Sequence, residues 1–195
     1  MLVARRLVVG YERPLIRPLD LEVRPGEPVA FYGPNGVGKT TLAKVLATLL
    51  SPLGGSIELY GNPIKKMRRH IFYLPETVEV PPKVKALEYV EAVASFYGIS
   101  DLAEEVLRAV GVPPQLELEK MSQGMKRRVQ LASALAVAPK VKLAVLDDPY
   151  VSIDPEGAAE LHEAVISAFG NAVLALTSRS PLKGVRNIDF FTLKP

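Results

Sequence analysis

The sequence predicts an α/β fold: a parallel sheet carrying a phosphate-binding loop, with an N-terminal antiparallel β portion and a helical subdomain inserted in the middle. Three observations predict it. A short apolar strand at residues 28–32 runs into the glycine-rich stretch GPNGVGKTT and then into LAKVLATLL, which has helical length and spacing. Short strands broken by Pro and Gly turns open the chain, whereas strands and helices alternate at its end. Between them, about residues 77–138, apolar positions recur at helical intervals. The 195 residues, 48% hydrophobic and 23% charged, suit one core, so the whole chain, 1–195, is expected to form a single domain.

The elements follow in order. Residues 2–9 and 19–23 read as strands, separated by turns at Arg13-Pro14 and Pro25-Gly26. After the strand at 28–32, the helix of LAKVLATLL reaches residue 50. Residues 56–60 and 71–74 are short strands. Residues 84–97 and 101–110 are helices, the first marked by Leu87, Val90 and Ala94 on one face. A third helix covers 124–136. The run Leu143-Ala144-Val145-Leu146 is apolar throughout, as a strand buried on both faces would be, and the strand is taken as 142–147. A helix at 155–169 and strands at 172–177 and 188–193 complete the chain.

Composition excludes several chemistries. There is no cysteine, so disulfides, thiolate zinc sites and iron–sulfur clusters are ruled out, and His70 and His162 are too few and too distant in sequence to suggest a metal site. Any metal has to arrive with a ligand. No apolar stretch approaches the ~18 residues needed to cross a bilayer, and Arg5 and Arg6 interrupt the segment where a secretion signal needs an apolar run. A cytosolic protein is expected. The net charge is +3, and its densest cluster, Lys65-Lys66-Met67-Arg68-Arg69-His70, is read as a solvated surface turn, with anionic membrane or nucleic acid as the other possible partner of such a run.

Residues 33–40 fit GxxxxGK[ST]. Gly33, Gly36 and Gly38 let the backbone wrap phosphates with its N–H groups, and the intervening Pro34, Asn35 and Val37 belong to the same cradle. Lys39 supplies a fixed positive charge for the β- and γ-phosphates. Thr40 offers a hydroxyl to Mg²⁺, and with Thr41 it opens a helix whose positive dipole end faces the anion. Such a loop requires a carboxylate nearby to complete the metal's shell, and the buried strand ends in Asp147-Asp148. Asp147 is the metal-side residue. Asp148 is the candidate to polarise an attacking water, the alternative being a residue that caps a turn.

With these stretches in place, the chain resembles an ABC ATPase subunit of the P-loop NTPase superfamily: GPNGVGKTT, MSQGMKRRVQLASAL and LAVLDDPYVSIDP stand in that family's order. MSQGM is similar to the family's LSGGQ motif at Ser122 and Gly124, and departs from it at Met121, Gln123 and Met125. The resemblance implies that Ser122, Gly124 and the helix after them bind the γ-phosphate of ATP held by a second protomer, in a head-to-tail dimer with itself or with a related subunit. A plain helix N-cap is the other reading of Ser122, and the two are compatible. It further implies that Asp154 lies in a loop linking the two sites and that Tyr11 stacks on adenine, a packing role being the alternative for the tyrosine. Tyr73-Leu74-Pro75-Glu76 resembles the loop in which the family usually has a glutamine touching Mg²⁺ and the lytic water. Glu76 therefore enters both the catalytic and the metal set, although when ionised it cannot donate a hydrogen bond as an amide does.

Two departures bear on turnover. Asp148 stands where the family usually has a glutamate base, and Ser178 stands where it usually has a histidine. The resemblance implies Mg-ATP binding with slow hydrolysis, coupled to solute movement through an integral membrane subunit against which residues 76–97 dock. The chain would then sit at the inner face of the cell membrane through its partner. A nucleotide-gated scaffold with little hydrolysis, and a soluble ABC protein outside transport, are the competing readings. The second usually brings a coiled coil, a second cassette or a nucleic-acid domain, none of which this sequence contains, so no nucleic-acid partner is expected.

Overall fold

The computed structural model describes residues 1–194. An antiparallel sheet has the order β2-β1-β4-β5, formed by β1 (Leu2–Val8), β2 (Leu19–Val23), β4 (Gly54–Leu59) and β5 (Asn62–Pro63). A second sheet has the order β6-β7-β8-β3-β9, formed by β3 (Val29–Tyr32), β6 (Ile71–Leu74), β7 (Leu143–Leu146), β8 (Val173–Ser178) and β9 (Arg186–Asp189). Every pairing in it is parallel. The strand before the phosphate loop thus lies between β8 and β9, with β7 two places away.

The unbroken apolar runs of β7 and of the first four residues of β8 have a simple cause: two cores, one on each face. Ala144, Leu146, Leu174 and Leu176 enter the core beneath the helical layer, while their neighbours Leu143, Val145, Val173 and Ala175 enter the core shared with α1 (Lys39–Leu46) and the antiparallel sheet. The helical layer comprises α2 (Ala86–Ser95), α3 (Ala103–Ala109) and α4 (Gln123–Val137), with α5 (Pro155–Ala168) packed on the same core. α4 is buried along most of its length, between its helical neighbours and β6. Among the described residues, no helix is long and apolar enough to cross a membrane.

Two expectations change, and a third element, the basic surface run, is defined more closely. The helix after the phosphate loop ends at Leu46 rather than near residue 50, because Thr48 adopts a left-handed backbone (φ 62°). The amides of Thr48 and Leu49 then donate back to Val45 and Lys44, an α-helical stop that usually has glycine at the position Thr48 holds. The expected last strand, 188–193, divides: β9 stops at Asp189, whose carboxylate accepts from the Phe191 amide and starts a 3₁₀ turn over Phe190–Leu193. This turn buries Phe190 beneath the phosphate loop and leaves Phe191 exposed, an arrangement in which the adjacent rings diverge. The basic run folds as a 3₁₀ segment, Ile64–His70, held by buried Ile64, with Arg68 donating to Thr48 Oγ1.

Candidate functional site

The loop between β3 and α1 is shaped by its glycines. Gly36 (φ 75°) and Gly38 (φ 115°) have backbone conformations that side chains resist, and a Cβ on Gly38 would lie 3.3 Å from the Phe190 ring. Buried Phe190 and the Gly33 amide's bond to the Ser178 carbonyl hold the loop from below and from β8. Lys39 is almost fully buried, and its ammonium donates to the Gly33 and Pro34 carbonyls at 2.7 and 2.9 Å. Burial lowers its pKa, and the carboxylates of Asp148, Glu76 and Asp147 pull it partly back.

A cavity of about 370 Å³ brings together Asn35, Gly36, Gly38, Lys39, Thr40 and Thr41 from this loop with Glu76, Asp147 and Asp148. Asp147 is buried at the tip of β7. Its Oδ1 accepts from the Thr177 hydroxyl, and its Oδ2 accepts from Tyr73 Oη at 3.3 Å, a neighbour that, after burial, raises the tyrosine's pKa. Asp148 has a left-handed backbone (φ 42°), tolerable for aspartate and held in place by Thr177 Oγ1, which accepts from its amide. Its Oδ2 accepts from Arg179 Nε at 3.2 Å.

Sequence reasoning missed the residue that assembles this corner. Arg127 of α4 is fully buried, and each of its five N–H groups donates: Nε to the Pro149 carbonyl, Nη1 to the Pro75 carbonyl and Gln130 Oε1, Nη2 to the carbonyls of Asp147 and Asp148. Burial lowers its pKa to about 10, so it stays charged at neutral pH. Through it, the segment carrying Glu76 and the segment carrying both aspartates are tied to one helix. A signal was present: position 127 lies four and seven residues before Leu131 and Ala134, on the buried face of α4.

Other expected site residues lie apart from the cavity. Ser122 is the N-cap of α4, its Oγ accepting from the Met125 amide at 3.2 Å, so its capping role is present. Gly124 is required by packing, since a Cβ there would sit 2.6 Å from the Ser152 carbonyl. Neither residue lines the cavity that contains Lys39. Asp154 caps α5, Oδ1 accepting from the Gly157 amide, and that bond holds its pKa below the usual carboxylate range. Tyr11 is 59% exposed in the turn after β1, while Leu15 of the same turn reaches Gly38. Ser178 is buried, but its hydroxyl donates to the Ser180 carbonyl at 2.6 Å, and it faces a neighbouring cavity instead. His162 is also committed, bridging Tyr150 Oη and the Lys183 carbonyl at 2.8 Å each.

Comparison with known proteins agrees with this geometry. The family described as ABC transporter matches residues 16–151. The Nod factor export ATP-binding protein I of Burkholderia pseudomallei is 35% identical over 176 residues, covering 82% of this chain and 56% of its own length. A cytochrome c biogenesis ATP-binding export protein of Xylella fastidiosa is 32% identical over 179 residues, covering 86% and 79%. The chain thus spans little more than half of the first of these relatives. A solved structure of an ABC transporter ATP-binding protein from Pyrococcus furiosus superposes with a TM-score of 0.93 at 36% identity, covering 100% of this chain and 99% of that one. With the family matched across most of its length, and with relatives above 30% identity across four fifths of it, the chain belongs to the ABC transporter family.

Proposed function

We propose that this chain is the ATP-binding subunit of an ABC transporter, binding and hydrolysing Mg-ATP at a dimer interface to drive solute movement through separate membrane subunits. One observation carries the reading: the cavity in which the glycine-bordered loop, Lys39 and Thr40 face Glu76, Asp147 and Asp148. Lys39 meets an incoming phosphate already stripped of most of its water, which strengthens the attraction. The amides of residues 35–40, which lead into the start of α1, add donors to the β- and γ-phosphates. Tyr11, exposed in the turn after β1, is free to stack on the base.

The oxygen-only set of Thr40, Asp147 and Glu76 fits Mg²⁺, a hard cation. Among the described residues no three His, Cys, Asp or Glu groups are placed to hold a metal by themselves, so phosphates and water would complete its shell. When bound, Mg²⁺ would neutralise phosphate charge. Asp148 is the base for the attacking water: its Oδ2 is engaged by Arg179, and among the described residues its Oδ1 has no partner. Two features favour slow turnover. Asp148 is a methylene shorter than the family's usual glutamate, and the hydroxyl of Ser178 is held by Ser180 rather than offered to the cavity.

Ser122 and Gly124 would serve the site of a second chain, homodimeric or heterodimeric, because α4 starts outside the cavity of its own chain. For the membrane subunit, a groove of about 360 Å³ lined by Tyr73, Pro75, Glu79, Tyr89, Val93 and Phe96 adjoins the segment bearing Glu76, and Phe96 is 88% exposed. The chain would work there at the cytoplasmic face of a membrane.

Steady-state hydrolysis of Mg-ATP tests the proposal, with Lys39→Ala as the blank and Asp148→Glu and Asp148→Asn alongside. Wild type is expected above the blank, Asp148→Glu faster than wild type, and Asp148→Asn slower by about 10²-fold or more, the usual size of a lost general base. Wild-type turnover equal to the blank, with nucleotide still bound, would remove the motor reading and favour a nucleotide-gated scaffold.

A further inference from the structure

Asp148 lines two cavities, the phosphate cavity and a larger one of about 750 Å³ between α5 and the segment after β8. Arg179, the residue after the end of β8, stands on the wall of the second and donates through Nε to Asp148 Oδ2 at 3.2 Å. Its side chain is 57% exposed, against 16% for the aspartate. A guanidinium carries five N–H groups in a planar fork. Among the described residues this one bond to Asp148 is the only hydrogen bond Arg179 makes, so its two terminal nitrogens are free for another anion.

The neighbouring groups leave that role open. Ser178, one residue earlier, spends its hydroxyl on the Ser180 carbonyl. Among the described residues Lys39 is the one cation lining the phosphate cavity, which also holds three carboxylates, those of Glu76, Asp147 and Asp148. A triphosphate held by the loop would enter beside them with its terminal group toward Asp148, the position of attack in the proposed reaction. A second cation there would offset repulsion between phosphate and carboxylate, and the charge of Arg179 is already felt at Lys39. A diphosphate held in the same way would end short of this corner.

We propose that Arg179 is a γ-phosphate-binding residue: its fork holds the Asp148 carboxylate through Nε and the terminal phosphate of a nucleoside triphosphate through its terminal nitrogens, so that the site distinguishes triphosphate from diphosphate. The inference rests on the nucleotide-binding reading above. Equilibrium binding of a fluorescent, non-hydrolysable ATP analogue and of fluorescent ADP, both with Mg²⁺, tests it on wild type, Arg179→Ala and Arg179→Lys. Arg179→Ala should lose about tenfold or more in affinity for the triphosphate while ADP changes by less than about twofold, a charge-assisted bond being present for one ligand only. Arg179→Lys should recover part of the loss, since it restores charge without the fork. Equal losses for both ligands, or an unchanged triphosphate affinity, would overturn the inference while leaving nucleotide binding intact. Wild type that binds neither ligand would bring down the nucleotide reading and this inference with it.

Discussion

Replacing Arg127 by alanine should cost this protein much of its stability, and the size of the loss can be worked from its partners. The side chain is fully buried, and four of its five bonds go to backbone carbonyls: Pro75, Asp147, Asp148 and Pro149. Truncation strands these acceptors and opens a cavity. An unsatisfied buried polar group costs ~1–3 kcal/mol, so even at the lower end four carbonyls sum to about 4 kcal/mol. Lost packing adds to this, and water entering the cavity subtracts from it. Against a typical total of ~5–15 kcal/mol, this is a large fraction. Urea denaturation followed by circular dichroism reads it directly: at an m-value of ~2 kcal/mol/M the midpoint should fall by about 2 M. Arg127→Lys supplies at most three donors without the planar fork, so it should fall between wild type and alanine. A loss below about 1 kcal/mol for Arg127→Ala would refute the reasoning, because it would mean that the four carbonyls find other partners at little cost.

Other outcomes follow from the same geometry. Gly124→Ala should destabilise by ~1–3 kcal/mol in thermal or urea unfolding, because the new Cβ would lie 2.6 Å from the Ser152 carbonyl; the usual gain of ~1 kcal/mol for Gly→Ala in a helix would point the other way. Triphosphate affinity should be flat near neutral pH and fall as pH rises through the pKa of Lys39, which burial sets below the ordinary lysine value. The charged form holds the phosphate, so deprotonation removes it; Lys39→Arg, charged throughout, should show no such fall in a fluorescence titration series. Phe96→Ser should change stability by less than about 0.5 kcal/mol, given its exposure, yet weaken co-purification with the membrane subunit; undiminished co-purification would count against the groove as the docking surface.

The phosphate loop was legible because its determinants are contiguous: a strand, three glycines, a lysine and a helix start occupy one stretch, and each is fixed by local backbone geometry. The tip of β7 was legible for the same reason, its unbroken apolar run followed by two aspartates. What the sequence hid are residues whose meaning comes from convergence. Arg127 stands between Lys126 and Arg128 and reads as one more surface cation until Pro75 and Asp147 to Pro149, far away in the chain, present their carbonyls to it. Arg179 gains its interest only from the fold over Asp148. Residues 188–193 read as a strand in the sequence, but filling the space beneath Gly38 with the Phe190 ring outweighed the continuation of the ladder. Thr48 ended a helix where glycine would have announced the stop.

The placement of Arg127 also bears on how a dimeric site would be coordinated. Ser122 and Arg127 lie five residues apart on one helix, an axial distance of about 7.5 Å at the α-helical rise. The first would meet a phosphate bound by another chain; the second holds the carbonyls of Asp147 and Asp148 in its own. Gly124, between them, abuts the Ser152 carbonyl. Because α4 is buried along most of its length, a pull at its N-terminus is poorly absorbed by bending it, so it would pass to the segment that carries Asp148, the proposed base. On that reasoning Arg127→Lys, if it folds, should lower turnover more than it lowers nucleotide affinity, since Lys39 and the phosphate loop make no bond to Arg127. Equal effects on turnover and affinity would instead mean that the guanidinium shapes the whole cavity.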